Sequence, residues 1–377
     1  MLTPEDMQKQ ANAISAIYSS LEDKIFQQII HALTDSRFST VTKENVLLWQ
    51  AEQLKKMGML NHQVIHLLAK ETKKTKKEIE QLIRGNGHLI IDQVDKQLAE
   101  VMHKKVPVSE EIEQMLDSLL NQTFLDLNNN VNQTLITTNY GENRVMRTYQ
   151  EIIKQSTLEV ISGLKTHENA IRENIYRWVE QGIKSSFIDR AGHEWSLEAY
   201  TRMVINSTSH RTYNDLRLKR MKDFDCVTAR MSSHACARKD CAYIQGQVVN
   251  VVPMEDVRSD SRYDSIYNHG YGDPGGTQGI NCKHILYPFI PNVNTNNEQP
   301  IDPEEAIKNG EIQQQQRKLE REIRYKKKQL LAAQELEDKS RQSQCQGIIL
   351  AKQKALRELI KENDFLHRDY HREQIQS

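Results

Sequence analysis

The residues with the most chemical potential lie between Cys226 and His284. Four of the five cysteines are here, at Cys226, Cys236, Cys241 and Cys282, with His234 and His284 close by in sequence. Cys236-x4-Cys241 and Cys282-x-His284 supply more than four soft ligands, and zinc takes tetrahedral Cys/His sets that staple loop-rich domains. The candidate metal set is Cys236, Cys241, Cys282 and His284, although neither pair has the Cys-x2-Cys spacing of common zinc knuckles. A second chemistry is nucleophilic: Cys236 or Cys282 could pair with His234 or His284, oriented by Asp240 or Asn281. Residues so near in sequence rarely build such a triad. Gly272-Asp-Pro-Gly-Gly276 lacks the Lys-Ser/Thr and the strand–loop–helix frame of a phosphate loop.

The leading account of these motifs is structural. Ser232-Ser-His234 would satisfy buried backbone amides through side-chain bonds. Asn281 and His284 would hold a long loop against short strands, and Gln245-Gly246 would admit close backbone approach at a strand start. Zinc and catalysis by the Cys/His group stand as alternatives.

Another candidate is a helix from Ser196 to Met221. It carries Arg202, Arg211, Arg217, Lys219 and Arg220 against Glu198 and Asp215. Its basic face, over 202–222, is a candidate contact for phosphate, DNA or an acidic partner, or simply a solvated face. Over the whole chain 51 basic residues balance 51 acidic ones, so bulk charge does not point to a nucleic-acid binder. Leu67 to Gly85 superficially suggests a helix-turn-helix, but its turn holds four lysines and no glycine.

The elements that must position these residues are mostly helical. Ile14, Ile17, Tyr18, Leu21, Ile25, Ile29 and Leu33 recur at helical steps and predict a helix over 5–35. A second helix is expected to stop at Gly58 and a third to run over 61–69. Thr75 and Glu78 then read as a capping box opening a short helix closed by Gly85. Further helices are expected over 87–106 and from Ser109 to about Leu127, with a loop at 128–133. A long helix is predicted over 144–183, kinked at Gly163. Residues 187–195 predict a hairpin turning at Ala191-Gly192. Strands are expected over 226–231 and 244–252, followed by a long loop over 253–280. Beyond residue 301 two charged helical stretches with thin apolar stripes, broken near 340–347, predict an antiparallel pair or coiled coil.

The fold class is therefore mainly α with a small α+β module. Residues 1–185 form a helical N-terminal region and 186–292 a compact α+β motif domain; 293–300 is a linker and 301–377 a C-terminal helical arm. With 38% hydrophobic and 6% aromatic residues, the arms look core-poor and are expected to find burial on a partner. No apolar run approaches the roughly 18 residues of a membrane span, and Met1-Leu-Thr-Pro-Glu-Asp6 does not read as a secretory signal. The five cysteines read as reduced thiols of a protein made in a cytoplasm.

Four blocks carry a family resemblance. They are Tyr200-x-Arg-Met-Val with Arg211-Thr-Tyr-Asn-Asp-Leu-Arg217; Ser233-His234-x3-Arg238-x2-Cys241 with Gln245-Gly246; Gly279-Ile-Asn281-Cys282-Lys-His284 followed by Tyr-Pro-Phe-Ile-Pro291; and Gln316-Arg-Lys-Leu-Glu-Arg321 with Arg324. Over about residues 185–377 the chain resembles the minor capsid proteins of tailed bacteriophages and prophages of Gram-positive bacteria, more loosely the head-morphogenesis proteins of Mu-like phages. It departs from that pattern at Lys239, Cys236 and Lys283. The resemblance implies a non-enzymatic virion component made in the host cytoplasm. It would associate with portal, capsid or scaffold proteins, away from any membrane, and act in head assembly, DNA packaging or DNA delivery. It transfers no catalytic residue.

Overall fold

Thr3 starts the first helix. Its hydroxyl accepts from the Asp6 amide at 3.1 Å, and the Asp6 carboxylate accepts from the Thr3 amide at 3.1 Å. Pro4 follows in the first turn, where its missing N–H costs nothing. The computed structural model describes residues 2–375. Helix α1 (Pro4–Thr34) buries Met7, Ala11, Ile14, Tyr18, Leu21, Ile25, Ile29 and Leu33, so the predicted stripe is its core face. It is followed by α2 (Val46–Lys55), α3 (Met57–Glu80), α4 (Asn86–Met102), α5 (Glu110–Leu127), α6 (Gln133–Ile136), α7 (Arg144–Ile161) and α8 (His167–Gln181).

Several boundaries differ from the sequence reading, each for a local reason. Gly58 does not stop a helix; the break falls at Lys56, and Gly58 lies in the first turn of α3. Thr75 is not a cap but a mid-helix residue whose hydroxyl donates to the Glu71 carbonyl at 2.8 Å. Nothing in that lysine-rich stretch ends a helix, so α3 runs through it. A π-helical turn over Gln81–Gly85 then passes into α4 without a loop. The helix-turn-helix look-alike is therefore one helical rod with a π-bulge. A second π turn, Asn128–Asn132, replaces the expected asparagine loop. The long helix over 144–183 is two helices: Gly163 takes φ +76°, and the Thr166 hydroxyl caps α8 by accepting from the Asn169 amide.

The motif module begins with a hairpin, β1 (Lys184–Ile188) and β2 (Glu194–Ser196), turning at Ala191-Gly192 as expected. Helix α9 (Leu197–Asp223) follows. An antiparallel sheet of order β4-β3-β5 comprises β3 (Thr228–Met231), β4 (Val248–Asn250) and β5 (Leu286–Pro288), with α10 (Lys239–Ala242) in between. The register pairs Ala229 with Val249 on one side and with Pro288 on the other. Strand β5 was not anticipated, because its three residues end in a proline.

Helix α11 (Pro303–Glu335) packs on the body, and α12 (Lys339–Glu362) folds back along it. The pair is antiparallel: Lys352 Nζ lies 2.7 Å from Glu322 Oε2, and Ile323, Ile349 and Leu356 form a small core between them. The turn falls at 336–338, just before the expected break.

One hydrophobic core runs from Met7 on α1 through α9 and the sheet to Leu336. This corrects the expectation that the N-terminal stripes await a partner: they are buried within the chain itself. Ionic contacts fasten α11 to this core. Lys328 is 3% exposed and meets Glu22 on α1 and Glu198 on α9, the latter at 2.8 Å. Glu198 also takes Arg324 and Arg202, each at 3.0 Å.

Candidate functional site

The sheet brings together residues distant in sequence. Strand β3 delivers Ser232 to His234 at its end, the turn after α10 delivers Gln245 and Gly246, and the segment entering β5 delivers Cys282 to His284. Cys241 on α10 and Cys282 lie with their sulfurs 3.9 Å apart, and Cys282 Sγ is 3.5 Å from His284 Nδ1. All three side chains are buried, and their ligand atoms fall within 4.8 Å of one another. Cys236, the fourth residue of the predicted metal set, does not join them. It is half-buried near Lys283 and Arg317. Cys226 lies at the far end of β3, where its thiol faces the Thr228 and Phe289 carbonyls. All five cysteines are free thiols.

Gln245 fixes the histidine. Its Oε1 accepts from the His234 amide at 2.9 Å and lies 3.1 Å from His284 Nε2. Because a backbone N–H can only donate, the facing atom is the amide oxygen, so His284 Nε2 carries the proton and its Nδ1 lone pair faces Cys282. The hydrogen bond between the two thiols holds Cys282 well below the ordinary thiol range and, with burial, pushes Cys241 above it. Burial and the neighbouring His284 ring lower His234 to about 4, so it is neutral at pH 7.

The remaining motif residues close the loop between β4 and β5. Arg238 donates to the Pro274 and Gly275 carbonyls at 3.3 Å each and to the Ile280 carbonyl. A Cβ on Gly279 would run into the Asp273 carbonyl oxygen. Asn281 sits at φ +59°, a left-handed conformation that asparagine tolerates, rather than bonding through its side chain. Ser232 Oγ accepts from the Ile285 amide at 2.9 Å, and Ser233 Oγ donates to the Gln299 carbonyl at 3.0 Å. Gly246, at φ +72°, lies against Pro300, where a side chain would clash. Ser232 and Gly246 make contacts of the kind read from the sequence, although Gly246 lies in a turn before β4 rather than at a strand start, and Asn281 does not hold the loop through its side chain.

The basic residues of α9 do not form one open face. Arg220 is fully buried, bound to Asp95, Asp223 and the Val106 and Pro107 carbonyls. Arg217 is buried against the rings of Tyr213 and Tyr287. Lys219 pairs with Glu111 and Asp223, and Arg202 with Glu198. Arg211 alone of the five is exposed.

Three residues escaped sequence reasoning. Thr277 is buried with Oγ1 3.7 Å from Cys241 Sγ. Gln278 and Asn214 both donate to the His284 carbonyl, at 2.9 and 3.2 Å. Asn214 stands inside the first quoted block, but nothing in its type or spacing singles it out.

The model of the family described as Phage minor capsid protein 2 matches residues 2–361. A "Structural protein" of Lactococcus phage LL-H is 43% identical over 362 residues, covering 95% of this chain and 98% of that protein. A "Structural protein" of Lactococcus phage mv4 is 45% identical over 120 residues, 32% of this chain and 98% of that protein. No solved structure matches. With the match running from the first helix to the end of α12, through both Cys/His blocks, the chain belongs to the phage minor capsid protein 2 family.

Proposed function

We propose that this minor capsid protein is a head component docked on the portal at the capsid interior. It acts in head assembly, DNA packaging or DNA delivery, and is made in the cytoplasm of the bacterial host. One observation carries the reading toward a protein partner. Helix α2 packs on α7, with Tyr149 Oη donating to the Gln53 carbonyl, and meets the start of α8, with the Trp49 ring edge-on to His167 at 4.5 Å. Lys43 fills the space beside Gly163, and exposed apolar side chains occur on both helices, Leu47 and Leu48 on α2 and Leu158 and Ile161 on α7, with Leu164 just beyond α7 at 77% exposure. Exposed apolar side chains on two helices that pack together are the kind of surface that receives a protein partner. Among the described residues no helix is long and apolar enough to cross a membrane.

The test is co-expression with the portal protein of the same phage. The wild-type chain is expected to co-purify with portal. The Leu47→Glu/Leu164→Glu double variant should lose the complex while keeping its Tm, because neither side chain contributes to the core. Undiminished co-purification of the variant would remove this face from the account.

A further inference from the structure

The Cys241–Cys282–His284 group brings three ligand atoms within 4.8 Å of one another, and two of their separations have the dimensions of a metal site. Zinc holds thiolate at about 2.3 Å and imidazole nitrogen at about 2.0–2.1 Å. At tetrahedral angles those bonds place two sulfurs roughly 3.8 Å apart and a sulfur and a nitrogen roughly 3.6 Å apart. The sulfurs here stand at 3.9 Å, and Cys282 Sγ and His284 Nδ1 at 3.5 Å. We propose that Cys241, Cys282 and His284 bind one zinc ion that pins α10 to the segment entering β5.

Three further features support the assignment. First, the ring is oriented as in metal centres: the Nε2 proton points to the Gln245 oxygen, which fixes the tautomer and leaves Nδ1 as the ligand atom. Gln245 is itself held by the His234 amide. Second, the donor set is soft and buried, with exposures of 1%, 5% and 3% for Cys241, Cys282 and His284. Two thiolates with one imidazole select zinc over magnesium or calcium. The Thr277 hydroxyl, 3.7 Å from Cys241 Sγ, adds a buried oxygen beside the sulfurs. Third, the site lies where a staple acts. It joins segments 41 residues apart, and the intervening chain contains the long loop clamped by Arg238. A bound ion adds its binding free energy to the stability of that closure. Binding releases the thiol protons to solvent as the two sulfurs become thiolates, and no redox step is involved.

A disulfide is the competing use of two cysteines this close, but it would draw the sulfurs to about 2.05 Å and would assign no part to the Gln245–His284 pair.

The test uses the full-length chain, purified from zinc-supplemented culture and desalted. Elemental analysis should find about one zinc per chain, and cobalt substitution should give the visible absorption of tetrahedral cobalt–thiolate. Stripping with a chelator plus a thiol-reactive displacer should lower Tm, with recovery on adding zinc. Cys241→Ser, close to isosteric, should reduce zinc at least tenfold, and Cys236→Ser should leave it unchanged. Should Cys241→Ser fail to fold, cobalt titration of the stripped wild-type chain reads the same site. Zinc below a tenth of an equivalent with no cobalt–thiolate bands overturns the proposal. So does equal zinc loss in Cys236→Ser, or an intact-mass and peptide-map finding of a Cys241–Cys282 disulfide.

Discussion

Replacing Lys328 by alanine is expected to destabilise the fold by about 3–5 kcal/mol, the range for removing one partner of a buried ionic group. The Lys328 ammonium sits among Glu22, Glu198 and Asp23 and joins three helices, α1, α9 and α11. Burial alone would lower its pKa, but these carboxylates outweigh burial and hold it above the usual lysine range. Without the ammonium, Glu22 and Asp23 are left without their cation in a dry space, while Glu198 keeps Arg324 and Arg202. Asp23 is already strained in this sense: burial pushes it up to about 7, and its Oδ2 has no hydrogen-bond partner. The loss should therefore depend on pH. In the variant the orphaned carboxylates acquire folded-state pKa values above their unfolded ones. Stability is then present at low pH and lost as pH rises through the raised values, so the deficit against wild type is larger at pH 8 than at pH 5. Urea unfolding followed by circular dichroism at both values measures it. Lys326→Ala, which removes a half-exposed pair with Glu180, should cost no more than about 1 kcal/mol.

The second large effect is at Arg220. Its guanidinium is bidentate to Asp95, with Nη2 2.8 Å from Oδ2, and Nη1 reaches Asp223 at 2.8 Å. It also closes the connection between α4 and α5 through the Val106 carbonyl at 2.8 Å and the Pro107 carbonyl at 3.3 Å. Arg220→Ala should cost about 3–5 kcal/mol by leaving Asp95 and two carbonyls without their cation, while Asp223 keeps Lys219. Arg220→Lys should recover only part of this, because an ammonium cannot reproduce the fork. The same variants separate two roles for this residue. A phosphate-contacting arginine would leave stability unchanged and weaken DNA binding; the structure predicts a fall in the urea midpoint.

The helical periodicities were legible because each apolar stripe faces a core close in space. The first stripe, Ile14 to Leu33, became the buried face of α1 almost residue for residue. Helix ends were less legible. Thr75 and Gly85 have the chemistry of caps, yet a π turn and tertiary packing carried the helix through them. Arg220 read as a surface cation because its partner Asp95 lies 125 residues away, beyond any local pattern. The pairing of Cys241 with Cys282 had the same character: both residues were named as candidates, but only the sheet distinguishes them from Cys236. Strand β5 was hidden by its length and its proline. The closure role of Ser232, Gln245 and Gly246 was legible because small, polar and glycine residues between short strands have few other uses; the Arg238 clamp was not, because its carbonyl partners lie 36 to 42 residues away.

Cross-linking mass spectrometry of intact virions bears most directly on the claim that this chain is a portal-docked head protein. Lys43 lies beside the Leu47–Leu164 face, so an amine-reactive cross-linker should join Lys43 to portal peptides in purified phage particles. Cross-links from Lys43 solely to other residues of this chain or to external virion proteins, with the chain present in the particles, would contradict the account.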